Sequence, residues 1–388
     1  AHCMSELEGL FLVLFGVYLL HSMVWVEPEA VAFRQTLHRF YSVAREGLPL
    51  PAVRRKGVFV QPLPPLGGAL VCPPYPLMVS PEGASAFRLS GPPSESLGAA
   101  TPPYSRFEEM TRIDLAENAV RIAGKDFVAS AAPGLARHAA LLLADLHRLG
   151  PKQRAAAIEK ALASRFDLRR IEKRLQEYRD TSPPVRRTSN LLFLALWVAV
   201  PLLAWKPGLL VAWPLMLVLV LPLLMITARR LWIAHKQLHA DQGEQRWRIV
   251  LTAALSPLSA MRANDELLHP LLVAFDPVAV ARVVCTEKPF RDLASQAVRS
   301  LRFPTPGELP EEDSEHFRVR EWFAARQLAA LERFLSAEGL EPNTLLAPER
   351  ESGRCLSYCP RCWGQYVAAS GRCASCGIAL AEFPAASD

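Results

Sequence analysis

Three almost purely apolar stretches constrain this chain's fold more than any other feature. Residues 9–26 read GLFLVLFGVYLLHSMVWV, residues 190–205 NLLFLALWVAVPLLAW, and residues 208–227 GLLVAWPLMLVLVLPLLMIT. A helix rises about 1.5 Å per residue, so the first stretch reaches about 27 Å, close to the thickness of a hydrocarbon core. It is preceded by Glu6 and Glu8 and followed by Glu27-Pro28. A signal peptide needs a basic start and a small-residue cleavage site, so this stretch reads as an uncleaved anchor. Only Lys206 and Pro207 separate the other two stretches, which predicts an antiparallel transmembrane hairpin over 190–227. Arg186 and Arg187 flank one outer end of the hairpin, and Arg229 and Arg230 flank the other. Arg34, Arg39, Arg45, Arg54, Arg55 and Lys56 follow the first stretch. Positive charge marks the cytoplasmic side. The expected topology is therefore three transmembrane helices, an outside N-terminus and a cytoplasmic remainder. The Arg-, Ala-, Leu- and Pro-rich bias suits a high-GC bacterium and hence its inner membrane.

These spans contain no Asp, Glu or Arg, so they lack the groups of a transporter or intramembrane protease. His21 is their one ionisable candidate besides Tyr18 and is read as a helix–helix or interfacial hydrogen-bonding residue. Pro201, Pro214 and Pro222 within the hairpin are read as packing features, since neighbouring helices can satisfy the backbone groups they release. No GxxxG accompanies them, so self-association to a homo-oligomer is left open.

The net charge of +6 is concentrated in residues 27–188, with 24 basic against 16 acidic side chains. No recognition motif accompanies the charge, so anionic lipid headgroups explain it better than nucleic acid does. Within this segment, residues 29–45 are read as an amphipathic helix, with Phe33, Leu37, Phe40, Tyr41 and Ala44 on one face. Residues 47–104 hold 13 of the 33 prolines and read as short edge strands at 58–60, 69–71 and 77–79. The stretch from about 81 to 104 is read as partly disordered. Val120, Ile122, Gly124, Phe127 and Val128 predict a hairpin. Helices are expected from Pro133, from Pro151, and after Asp167, where Leu168, Ile171, Leu175 and Tyr178 keep helical spacing. The whole is expected to be a cytoplasmic α+β domain.

Residues 228–248 are read as a solvated helix continuing the last span, with Trp232 and Trp247 near headgroups. His235 and His239 share a helix face, but Lys236 stands where a zinc-protease motif needs its Glu. Asp241 and Glu244 are further candidate ligands there. Residues 250–303 predict packed helices, with Cys285 in their core. Residues 304–315 are read as an acidic linker, and a helix is expected over 316–338, ending at Gly339.

Five of the eight cysteines fall within 355–376. Clustering of this kind points to metal rather than disulfides, and so to a reducing compartment. Cys359-Pro-Arg-Cys362 and Cys373-Ala-Ser-Cys376 are separated by ten residues. Each C-x-x-C turn brings two thiolates to one ion, and four thiolates complete a tetrahedral site that suits zinc. The pattern over about 355–383 resembles the zinc-ribbon modules found at chain ends, including those of bacterial membrane proteins. Gly377 eases the second turn. In the first, Trp363 stands where such knuckles often have Gly. Four thiolates leave no open coordination position, so the expected Zn2+ role is structural, with rubredoxin-like iron the alternative. Cys355 is a fifth thiol, a spare or an alternative ligand.

The expected organisation is a tail (1–8), a transmembrane helix (9–26), an α+β domain (27–188), the transmembrane hairpin (190–227), a helical juxtamembrane region (228–303), a linker with a helix (304–350) and the ribbon (355–383). The chain contains no P-loop, G-x-S-x-G, G-x-G-x-x-G or H-E-x-x-H motif. The expected function is a membrane-anchored binding or scaffold protein with a protein partner. The alternative is a membrane-associated enzyme whose site is assembled from Glu108, Glu109 and Asp114, or from His235, His239 and Asp241.

Overall fold

A computed structural model describes residues 9–10, 13–14, 16–17, 24–26, 31–36, 39–43, 58–60, 69–72, 77–86, 104–116, 119–129, 133–199, 202, 209–240, 242–303 and 314–383. The structure is mixed α+β and divides into two compact units. The first comprises Ala1–Pro74, Leu168–Ala274 and Val283–Cys285. The second comprises Tyr75–Asp167, Phe275–Arg282 and Thr286–Asp388. Residues 27–188 therefore contribute to both.

Strands open the first unit. β1 (Val24–Val26) takes the last three residues of the expected first span. β2 (Val31–Thr36) and β3 (Arg39–Val43) replace the helix expected over 29–45. β1 pairs antiparallel with β4 (Val58–Val60), and β2 pairs with both β3 and β5 (Ala69–Cys72). Val24, Val26, Val31, Phe33, Phe40, Tyr41 and Val43 favour a pleated surface once a partner strand is present. Val31 and Phe33 are buried with the period of two that a strand requires. Short aromatic runs fit both periods, and here the ladder to β5 decides between them.

β6 (Leu77–Val79), β7 (Gly83–Ala86) and β8 (Tyr104–Arg106) form a meander in the second unit. β7 lies at the start of the stretch read as partly disordered, whose residues 87–103 lie outside the described ones. A Cβ on Gly83 would stand 2.6 Å from the Ser105 carbonyl oxygen, so this strand approaches β8 as only glycine allows. The expected hairpin is present as a three-stranded sheet of β9 (Ile113–Ala116), β10 (Ala119–Ile122) and β11 (Lys125–Ala129), turning at Gly124 with φ +80°. The helices α1 (Pro133–His147), α2 (Pro151–Ser164) and α3 (Leu168–Thr181) follow where their proline and Asp167 signals put them. On α3, Ile171, Leu175 and Tyr178 are the buried face.

The first unit resumes with α3 and continues with α4 (Pro183–Leu194), which starts at the proline pair and runs into a π-helical stretch, Ala195–Ala199. α5 (Leu209–Leu238) carries Pro214 and Pro222 in its interior. Among the described residues one helical stretch, Leu217–Leu238, is long and apolar enough to cross a membrane, and 28% of its apolar window is buried. The helix expected to run unbroken to 248 stops at Leu238, and α6 (Gly243–Leu255) packs back against α5. Trp247 meets Trp232 edge-on, with ring centroids 4.5 Å apart. α7 (Pro257–Met261) and α8 (Ala263–Leu268) complete this bundle.

α9 (Pro277–Val284), α10 (Glu287–Arg302) and α11 (Glu315–Ala337) follow. Residues 304–313 of the expected linker lie outside the described ones. Ser314 caps α11, accepting from the Phe317 N–H at 3.1 Å, and Gly339 follows the helix with φ +76°. α11 packs on β6, β7 and α2, with Phe334 5.2 Å from Phe166. Across this contact His316 shares a hydrogen bond with Ser85 of β7, both fully buried.

Candidate metal centre

The last segment builds a three-stranded sheet, with β12 (Ser357–Tyr358) between β13 (Gln365–Tyr366) and β14 (Ala381–Glu382). The two residues of β12, Ser357 and Tyr358, are buried, but strands of two residues offer few ladder hydrogen bonds. Their sheet is set by the turns at either side, and both turns have the same construction. In the first, the Trp363 N–H donates to the Cys359 carbonyl at 2.9 Å, and the Cys359 N–H donates to the Gly364 carbonyl at 2.8 Å. In the second, the Gly377 N–H donates to Cys373 at 2.8 Å, and the Cys373 N–H donates to Ile378 at 2.8 Å. Trp363 and Gly377 occupy equivalent positions, with φ +62° and +68°.

These turns bring together the sulfurs of Cys359, Cys362, Cys373 and Cys376, all within 4.8 Å of one another. The Cys362 and Cys373 sulfurs lie 3.6 Å apart. Thiolates at ~2.3 Å from a tetrahedral zinc stand about 3.8 Å from each other. The cluster could therefore hold a metal ion. Cys359 and Cys373 are buried, Cys376 is half-buried and Cys362 is exposed. Cys355 is half-buried and not part of the cluster.

Neighbouring groups pull the thiols in different directions. Burial pushes Cys359 up and Cys376 up to about 12. The Tyr366 hydroxyl, donating to Cys373 Sγ at 3.1 Å, brings that thiol down to about 6. A bound divalent cation would override the effect of burial, since coordinating thiols ionise outright. A thiolate held by Tyr366 also has its remaining lone pairs oriented, as outer-sphere hydrogen bonds do in metal sites.

Trp363 is the residue the sequence singled out as a departure, and its side chain accounts for it. The indole Nε1–H donates to the Leu346 carbonyl at 3.0 Å, and the Arg299 guanidinium lies 4.1 Å from the ring centroid. The ribbon is thereby fixed to α10 and to the 3-10 turn Thr344–Leu346 of its own unit. Gln365 adds to this, donating to the Glu349 carbonyl at 2.8 Å and accepting from the Glu351 N–H at 3.0 Å. Spacing alone could have paired Trp363 with Gly377, but not with Leu346 or Arg299. No family model, curated protein or solved structure matches this chain.

The other candidate residues are placed apart from this centre. Glu108 and Glu109 are exposed on the 3-10 turn Phe107–Glu109, where Glu109 accepts from the Arg106 N–H. Asp114 on β9 pairs with Arg112 at 2.8 Å. His235 and His239 are buried rather than solvated, with ring centroids 4.9 Å apart. The His239 Nε2 hydrogen-bonds the Leu267 carbonyl at 3.0 Å, as a core histidine does. They face inward because α6 and α8 fold back onto α5. Asp241 and His21 lie outside the described residues. Cys285 is half-buried rather than a core residue.

Proposed function

We propose that the chain is a membrane-anchored binding or scaffold protein whose C-terminal ribbon is folded by one zinc ion on Cys359, Cys362, Cys373 and Cys376. The four sulfurs gathered within 4.8 Å carry this reading. The donor set is all thiolate and closed, which favours zinc in a structural role. A ribbon with two-residue strands has little core beyond Tyr358 against Phe383, so metal binding supplies most of its folding free energy.

The anchor is the N-terminal apolar segment, ending before Val24, together with the hairpin over 190–227. Several observations support the hairpin. α4 and α5 pack together, and Arg230 donates to the Pro184 carbonyl at 3.0 Å, which sets the two arginine pairs level at one end. Beyond that end Leu191, Leu194, Val218, Leu221 and Met225 are each more than half exposed. Such a surface suits lipid and not water. The positive ends and the reduced cysteines favour the cytoplasmic side of a bacterial inner membrane for the bulk of the chain.

Binding is tested by crosslinking in native membranes, comparing the intact chain with Cys359→Ser/Cys373→Ser. A defined protein that crosslinks to the intact chain and disappears with the variant supports a scaffold role centred on the ribbon. The absence of any stable neighbour with either chain argues against it.

A further inference from the structure

α6 exposes a stripe that the bundle of the first unit leaves uncovered. Trp247, Leu251 and Leu255 recur every fourth residue and so share one face, at 66%, 58% and 75% exposure. The opposite face holds Arg246 and Ala253, both buried. Arg246 donates to the His239 carbonyl at 3.1 Å and lies over the Trp232 ring. The charges of α6, Glu244, Arg246 and Arg248, all fall in its first half; Ile249–Leu255 carries none.

The direction of the helix gives this gradient a meaning. α5 ends at Leu238, α6 begins at Gly243 and packs on it, and Trp247 touches Trp232, so α6 runs antiparallel to α5. From Trp247 to Leu255 is about 12 Å of helix. Leu255 therefore stands about level with Leu224 of α5, some 8 Å past the Arg229–Arg230 pair on the apolar side. Its neighbours at that level, Met225 and Ile226, are themselves exposed. The stripe continues the apolar face of the candidate span.

We propose that α6 is an interfacial helix. On this proposal it enters the cytoplasmic leaflet alongside α5, with Trp247 and Arg248 at the headgroups and Leu251 and Leu255 among the acyl chains. The occupant of the stripe is lipid. Continuity with the exposed face of α5 argues for it, as does the placement of charge and Trp at one end and aliphatic residues at the other. The inference rests on the membrane reading of α5.

The test uses the full chain in nanodiscs of phosphatidylcholine and phosphatidylglycerol, with cysteines added one at a time. Leu255→Cys reports the stripe, Val218→Cys the span, and Glu172→Cys on exposed α3 the open solvent. A membrane-impermeant maleimide is followed by mass shift above the label taken by the chain without the added cysteine. The proposal expects Leu255→Cys to react severalfold more slowly than Glu172→Cys, as Val218→Cys does. Fast reaction at Leu255→Cys with slow reaction at Val218→Cys overturns the interfacial helix and leaves the span standing. Fast reaction at both overturns the membrane reading itself. Protection at Leu255→Cys in native membranes but not in nanodiscs assigns the stripe to a protein and overturns lipid as its occupant.

Discussion

At Trp363 two opposing demands meet. A non-glycine residue in the left-handed region costs roughly 1–2 kcal/mol. The indole hydrogen bond to Leu346 and the Arg299 contact return about 1 kcal/mol each. Trp363→Gly should therefore keep its zinc, because the turn is satisfied as it is at Gly377. It should also loosen the ribbon from α10, with faster hydrogen exchange over 355–383. Loss of zinc from this variant would show that the side chain holds the metal turn itself. His316 offers a second prediction. Burial, with a contribution from Arg320, lowers its pKa below 6.5. The unfolded chain then binds the proton more readily, so this stabilisation is complete above about pH 7 and is lost as the pH falls below it. Glu315 is held below the usual carboxylate range by its hydrogen bond to Arg106, which extends the loss further into acid. Denaturant midpoints measured between about pH 7.5 and 5.5 should fall for the intact chain and fall less for His316→Gln. Equal slopes would remove His316 from the account.

At the scale of elements, the test case is β7. Gly83→Ala should destabilise the β6–β8 meander by about 1–3 kcal/mol, since the new Cβ meets the Ser105 carbonyl, which cannot turn away, as well as the Tyr104 ring. Thermal unfolding checks this, and an unchanged midpoint would mean the strands separate at little cost. What the sequence made legible follows from locality. α1, α2 and α3 begin at Pro133, Pro151 and after Asp167 because proline at a first turn and a 3–4 apolar spacing act within a few residues. The four-cysteine cluster was legible for the same reason, since C-x-x-C gathers two thiols in one turn. β2 and β3 were not, because Phe33 and Phe40 satisfy a helical face until Leu70 and Val71 of β5 arrive from a distance. The burial of His235 and His239 likewise depends on α6 and α8, whose return path no local pattern announces. Trp363 was visible as an exception and became intelligible only with Leu346 and Arg299 in place.

For the whole molecule, the proposed apolar hairpin and thiolate ribbon would set two separate conditions, a bilayer and a reducing compartment, and the proposed cytoplasmic orientation meets both. The ribbon should then be cleaved by protease in inside-out membrane vesicles of Cys373→Ser and resist it in the intact chain. Cleavage in right-side-out vesicles would reverse the topology. The most direct measurement is the metal content of the purified full-length chain in detergent beside that of Cys373→Ser. The account predicts a single zinc per intact chain and none retained by the variant. Iron in place of zinc, no metal in the intact chain, or the same zinc in both would contradict it.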